Sequence, residues 1–208
     1  MERGNYDAVL FDLLTGLLDS WSLWNGVAGS EEAGLAWRQK YLELTYAAGP
    51  YRPYEEIIRE AAVDVGQPAA RAEELTARWG DLPPWPETRQ VLQTLVQSVP
   101  LGVATNCSDA LAAIAVVCTG GSFKAVATAE NSGYYKPRPE PYRKALEMLG
   151  CEPERVLFVA GSAADVPGAA AVGMPVFWHN RRGLTLAHPA VRPPIAEADS
   201  LLPLLDLI

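Results

Sequence analysis

Cysteine and histidine are scarce in this chain: of 208 residues, three are Cys and two are His. Cys107, Cys118 and Cys151 are odd in number, far apart and without a CxxC pair. That pattern argues against a disulfide framework and against a thiolate zinc site, and favours reduced thiols. Long apolar runs are missing as well. No stretch of about 18 apolar residues occurs, the length a membrane span requires. The nearest candidate, residues 156–178, is broken by Asp165 and by Gly and Pro. The segment MERGNYDAVLFD lacks the apolar core of a secretory signal, so the expectation is a soluble, cytoplasmic protein. Positive charge is in deficit, with 17 Lys and Arg against 25 Asp and Glu and a net charge of −8. No nucleic acid and no membrane is expected as a partner. A small anionic organic substrate remains open, because a few local cations suffice to bind one. There is neither an internal repeat nor a low-complexity tract.

What is present begins at residues 6–20, YDAVLFDLLTGLLDS. Ala8, Val9, Leu10 and Phe11 form a short apolar run that stops at Asp12, with Thr15 and Gly16 close behind. Such a run, bounded by turn residues, reads as a buried parallel strand. Asp12 then lies at the strand's carboxyl end, where open α/β sheets place their ligands. A carboxylate there can be a nucleophile or a metal ligand, or it can merely cap the following turn.

From Leu17 to Pro84 the sequence is rich in Ala, Glu, Arg, Leu and Trp at helix-like spacing. Ser30-Glu31-Glu32 reads as a helix start, with Leu35, Leu42 and Tyr46 as its apolar face and Gly49-Pro50 as its stop. Residues 54–65 and 69–79 read as two further helices, and 82–86 as a return linker. Afterwards strands at 101–104, 125–128, 156–160 and 176–178 alternate with helices at 87–97, 110–117, 139–149 and 166–172. This alternation predicts an α/β fold, a doubly wound parallel sheet with a Rossmann-like core. Residues 1–16 and 86–208 would form that core, and residues 17–85 an inserted helical cap domain over the strand ends.

Polar residues gather at three strand ends: Asp12, Thr105-Asn106, and Ser162 with Asp165. Lys136 sits in YYKPRPEPY, stiffened by Pro137 and Pro139. A nucleophilic carboxylate needs a cation to keep it ionised and donors for the charge that develops; one of each is supplied. Taken singly, Thr-Asn after a strand is ordinary turn chemistry and Lys before Pro an ordinary solvated side chain.

The order of these groups resembles the haloacid dehalogenase superfamily over nearly the whole chain. AWRQKYLELTYAAGPYRPYEE (36–56), YYKPRPEPY (134–142) and VFWHNR (176–181) are similar to the L-2-haloacid dehalogenases. The resemblance implies a hydrolase with Asp12 as nucleophile and a covalent ester intermediate, acting on a small carboxylate. It implies that Arg38 stands near the leaving halide and that Thr105 and Asn106 hold the substrate's carboxylate. Lys136 pairs with the nucleophile, and Asp165 stands behind Lys136. Tyr142, Trp178 and Asn180 match further residues of the site, and Thr15 and Ser162 complete the candidate substrate-binding set. It also implies a homodimer, for which a Trp-rich helical cap (Trp21, Trp24, Trp37) offers a surface; helix packing is the other reading of those tryptophans. His179 is read as a structural or surface histidine in preference to a water-activating one.

The chain departs from that pattern in places. Leu14 stands where a Tyr is usual, Thr15 precedes Gly16 instead of following a Gly, and the late Ser and Asn fall on Ala160 and Ser162. The phosphatase branch of the superfamily resembles Asp-x-Asp at the first motif, where this chain has Leu14, and uses an acid where it has Gly161. Mg²⁺ wants several hard oxygen ligands, so no metal or other cofactor is expected, and Mg²⁺ belongs only to the phosphatase-like alternative. A fold retained for ligand binding with little turnover is the remaining alternative.

Overall fold

A computed structural model describes residues 6–186 and 192–208. A six-stranded parallel sheet runs through it. Its strands are β1 (Ala8–Asp12), β2 (Leu101–Thr105), β3 (Ala125–Thr128), β4 (Val156–Ala160), β5 (Val176–His179) and β6 (Ala196–Ala198), in the order β3-β2-β1-β4-β5-β6. Every residue of β1, β2, β4 and β5 is buried. They are continuous apolar runs because both faces of a parallel sheet are covered. Alternation divides β1 between two cores: Val9 and Phe11 face one, Ala8 and Leu10 the other. Helices α5 (Thr88–Leu95) and α6 (Asp109–Thr119) pack on the first face, and α8 (Pro139–Leu149) and α9 (Asp165–Val172) on the second. The short α7 (Ala129–Ser132) follows β3. β6 escaped the sequence reading because its three residues, Ala-Glu-Ala, have little strand preference.

Between β1 and α5 the chain makes helices α1 (Ser20–Ala28), α2 (Glu31–Ala47), α3 (Tyr54–Asp64) and α4 (Ala70–Ala77). Asp19 caps α1 through the Ser22 amide at 3.2 Å, and Ser30 caps α2 through the Ala33 amide at 3.1 Å. The way out and the way back lie side by side: the Asp19 amide donates to Pro83 O at 2.8 Å and the Trp85 amide to Leu17 O at 3.1 Å.

Two expectations about these helices are corrected. The buried face of α2 is Gly34, Trp37, Arg38, Tyr41 and Thr45, while Leu35 and Tyr46 are exposed. Trp and Tyr cover more area than an aliphatic chain and decide which face turns inward. The tryptophans do not form a surface. Trp24 and Trp37 are buried with ring centroids 4.8 Å apart, next to Tyr41, and only Trp21 is half-buried. Among the described residues no helix is long and apolar enough to cross a membrane.

The helical segment is joined to the sheet layer through Trp79, which is fully buried, donates Nε1–H to Leu111 O at 3.1 Å and meets Tyr54 edge-on at 5.8 Å. Replacing Trp79 by Ala is expected to lower the unfolding free energy by about 3–5 kcal/mol. Val117→Ala, on the exposed face of α6, should change it by less than about 0.5 kcal/mol. Urea denaturation of both variants measures the difference.

Candidate active site

The strand order reverses between β1 and β4, and the groups in question collect at the carboxyl ends of those two strands. Asp12 ends β1, and residues Leu13–Leu17 then form one π-helical turn capped by its side chain. Oδ2 of Asp12 accepts the Thr15 amide at 3.0 Å, the Gly16 amide at 2.9 Å and the Thr15 hydroxyl. Oδ1 accepts the Lys136 ammonium at 2.9 Å, and Lys136 reaches Oδ2 of Asp165 with the same group at 2.8 Å. Oδ1 of Asp165 accepts the Tyr142 hydroxyl at 2.7 Å, and the Asp165 amide donates to Ser162 Oγ at 3.2 Å. Asn106 holds the segment that brings Lys136 in: its Oδ1 accepts the Lys136 amide at 2.7 Å and its Nδ2 donates to Lys136 O at 3.0 Å.

Asp12, Lys136 and Asp165 are all buried, so one ammonium serves two carboxylates. Burial pushes the Asp12 carboxyl up, but the Lys136 charge and the Thr15 donors outweigh it and hold Asp12 below the ordinary range. Asp165 is also pushed up by burial, and with the charge of Asp12 nearby its share of Lys136 does not restore it, so it lies above the ordinary range. The donors explain the asymmetry: Asp12 gathers three beyond the lysine, and Asp165 gathers one side-chain hydroxyl. Lys136 loses by burial and gains more from the two carboxylates, ending above its ordinary value.

These groups form the floor of a small cleft roofed by the helices. Leu14, Trp24, Tyr41, Leu42, Tyr46 and Tyr54 make its apolar wall; Thr15, Asn106, Ser162 and Ala164 join them, and Arg38 is the second cation. Arg38 donates Nη1–H to Ser20 Oγ at 3.0 Å, and its guanidinium lies 4.0 Å from the Trp21 ring centroid. Among the described residues, no carboxylate lies within salt-bridge distance of it, and burial presses its pKa down. A buried guanidinium without a counter-ion suits an arriving anion.

Of the residues singled out from the sequence, Asp12, Thr15, Arg38, Asn106, Lys136, Ser162 and Asp165 meet at the cleft. Tyr142 stands one layer behind, on Asp165. Thr105, Trp178 and Asn180 are not at the cleft, and the substrate-binding places expected for them are corrected. Thr105 is fully buried with its hydroxyl 3.5 Å from Cys107 Sγ. Trp178 is buried in the core under α8 and α9. Asn180 ties its own loop, donating to Leu184 O at 2.9 Å and to Glu197 at 2.7 Å. Their positions give the reason: Thr105 ends β2 but is fully buried, Trp178 lies one place short of the end of β5 and faces the second core, and Asn180 lies one place beyond that strand. Cys107 is no nucleophile, since burial pushes its thiol up to about 12. The sequence reading missed the wall residues Leu14, Tyr41 and Tyr54 and the partner Ser20. The aromatic spacing at 37, 41 and 54 was the available signal.

The family profile described as haloacid dehalogenase-like hydrolase matches residues 6–173. The (S)-2-haloacid dehalogenase of Xanthobacter autotrophicus is 30% identical over 81% of this chain and 73% of its own length. The (S)-2-haloacid dehalogenase H-109 of Pseudomonas putida is 27% identical over 85% of this chain and 87% of its own length. In fold the chain is similar to the crystal structure of an L-2-haloacid dehalogenase from Xanthobacter autotrophicus with chloropropionic acid covalently bound. The TM-score is 0.83 at 24% identity, covering 97% of this chain and 98% of that one.

The charge triad predicts an inverted pH response. Asp12, depressed in the folded state, adds stability that is present above its unfolded value of about 3.9 and lost as pH falls through the folded value. Lys136, raised, adds stability present below about 10.4 and lost only as pH rises through its folded value. Lys136→Met leaves two buried carboxylates facing each other and should cost about 3–5 kcal/mol at neutral pH. The deficit should shrink between pH 7 and pH 5, as one carboxylate takes up a proton. Urea midpoints of the two proteins across that range measure it.

Proposed function

Because the chain belongs to the haloacid dehalogenase-like hydrolases, we propose that it displaces halide from a small 2-haloacid through an ester on Asp12. The observation that carries this reading is the division of labour on that carboxylate. Oδ2 is filled by three donors from the turn, while among the described residues Oδ1 meets only the Lys136 ammonium at the cleft floor. Oδ1 is then the attacking atom. It forms a bond to the substrate's C2 as the carbon–halogen bond breaks from the far side, so the product is inverted at C2. The halide leaves toward Arg38, whose guanidinium lacks a carboxylate partner among the described residues. Ser162 keeps its hydroxyl proton free, since its oxygen accepts the Asp165 amide, and is the donor for the substrate's carboxylate. Helices α1 to α4 act as the cap that keeps the cleft dry.

In the second half, water adds to the ester carbonyl carbon, Cγ of Asp12. The charge then builds on Oδ2, between the Thr15 and Gly16 amides, an arrangement of preorganised donors worth orders of magnitude in rate. Asp165, raised above the ordinary carboxyl range by burial and by Asp12, takes the water's proton. Collapse releases Oδ1 with the product as a 2-hydroxy acid and returns the proton to it. Halide and one proton are the net by-products.

Mg²⁺ does not fit these residues. The Lys136 ammonium already bridges the two carboxylates, Leu14 supplies no oxygen, and a side chain at Gly161 would overlap the backbone of Thr15 and Gly16. No step is routed through a metal.

Halide release from (S)-2-chloropropionate in the presence of EDTA, set against phosphate release from a phosphomonoester panel with Mg²⁺, tests the reading. Halide release that survives EDTA supports it; Mg²⁺-dependent phosphate release alone overturns it. Asp12→Asn should abolish turnover, and a single turnover in heavy-oxygen water should give unlabelled product, its oxygen coming from Asp12. Arg38→Lys keeps the charge but loses the planar fork. It should lower kcat about a hundredfold, the scale of one preorganised donor, with little change in Tm. Steady-state kinetics on the confirmed haloacid read this directly.

A further inference from the structure

We propose that Trp85 and His179 are positioning residues for the nucleophile: by holding the carbonyls of Thr15 and Gly16 from behind, they aim the backbone amides that seat Asp12 Oδ2. The π-helical turn closes with the Leu18 amide on Leu13 O at 3.1 Å and ends there. The carbonyls of its last three residues therefore have no partner within the turn. All three are received from outside. Thr15 O accepts the Trp85 indole N–H at 2.9 Å, Gly16 O meets His179 Nδ1 at 2.9 Å, and Leu17 O accepts the Thr88 hydroxyl at 2.7 Å.

The decisive unit is the peptide between Thr15 and Gly16. It is planar, and both of its ends are used: its C=O is fixed on Trp85 and its N–H on Asp12 Oδ2. Rotating the plane to free one end turns the other away. Gly161 closes the remaining side, where any Cβ would overlap Gly16 N and Thr15 C. A carbonyl oxygen can only accept, so His179 carries its proton on Nδ1. Nε2 is buried without a hydrogen-bond partner among the described residues, 3.9 Å from Glu87. An orphaned ring nitrogen is costly, and an aliphatic residue would avoid it; the bond to Gly16 is what the ring is kept for. Trp85 and His179 also brace each other edge-on, with ring centroids 6.1 Å apart.

The test compares Trp85→Phe and His179→Leu, which delete one donor each, with His179→Asn, whose amide nitrogen can stand in for Nδ1. Thr88→Val serves as the control that loosens the same turn at the next carbonyl. The first readout needs no substrate: the Asp12 carboxyl is titrated by ¹³C NMR in protein labelled at Asp Cγ, with the signal assigned by Asp12→Asn. The two deletions should raise its apparent pKa by about one unit, a tenfold weakening of the seat. His179→Asn should recover most of that shift, and Thr88→Val should lower Tm without moving it. An unchanged Asp12 titration in both folded deletions overturns the inference, and so does an equal shift in Thr88→Val. If Trp85→Phe does not fold, 3-benzothienylalanine at position 85 removes the N–H while keeping the shape. The second readout rests on the haloacid reading. The deletions should slow ester hydrolysis about tenfold, the effect typical of a supporting partner, so that an Asp12 adduct accumulates in intact mass spectra while kcat and KM fall together and kcat/KM stays unchanged. If the wild type releases no halide, that reading fails by itself and the Asp12 titration still decides the positioning role.

Discussion

A single buried ammonium between two carboxylates sets the terms for everything around it. Removing three ionised groups from water costs several kcal/mol per ion, and it is tolerable only if each charge is met at close range. Lys136 lies 2.9 Å from Asp12 and 2.8 Å from Asp165, which requires β1 and β4 to be neighbours and the Lys136 segment to cross their ends. Asn106 provides that crossing by binding the Lys136 backbone on both its polar atoms. Since the ammonium is shared, the balance between the carboxylates falls to the weaker donors. The π-helical turn supplies them to Asp12, which is why Asp12 lies below the ordinary carboxylate range and Asp165 above it.

The framework of this arrangement is legible in the sequence for a simple reason. Fully buried parallel strands are short apolar runs, and the residue that ends such a run is at the sheet's edge by necessity. Asp12 could be placed that way, Asp165 as the acid that follows the end of β4 at Gly161-Ser162, and Lys136 stood out just before two rigid prolines. Resemblance added Arg38, which periodicity alone would have left as a solvated charge. Three kinds of information were not legible. The orientation of α2 was misread because aliphatic residues at 35, 42 and 46 suggest one face and the aromatic pair Trp37 and Tyr41 decides for another. Trp178 lies one step from the end of β5 and faces the core, and Thr105 ends β2 yet is fully buried, so a pattern that locates a strand's end cannot say whether its last side chains reach the cleft. The supports of the turn, at 85, 88 and 179, are brought together by tertiary structure and carry no local signature.

The roof of the cleft follows a different logic from its floor. Trp24, Trp37, Tyr41 and Tyr54 form one connected aromatic cluster, and Arg38 emerges from it with its guanidinium carbon 4.0 Å from the Trp21 ring centroid and, among the described residues, only a serine hydroxyl as hydrogen-bond partner. Stacking on indole and one neutral bond stabilise a guanidinium less than a carboxylate would. In the floor, by contrast, every charge has a partner at close range. Two carboxylates and one ammonium leave it with one net negative charge, and Arg38 above brings the cleft to neutrality. On the proposed reading, the negative charge that develops on the departing halide is repelled by the floor and drawn by the roof, away from Asp12 and toward Arg38.

Leu14 and Gly161 acquire a shared meaning in that setting. Both stand at positions where the phosphatase-like pattern of the sequence resemblance has an acid, and in this chain one is an apolar wall and the other a place with no room for a side chain. An additional acid at either position would add negative charge to a floor that already has a surplus, and one cation could not serve it. With Leu14 the wall stays apolar, the local dielectric stays low, and the field of Arg38 and of the turn's amides is screened less. With Gly161 the β4 loop presses directly on the peptide that seats Asp12 Oδ2. The two residues thus exchange the coordination of a metal ion for a dry cleft and a rigid anion seat, and a nucleophilic carboxylate held by lysine is the chemistry such a site can perform.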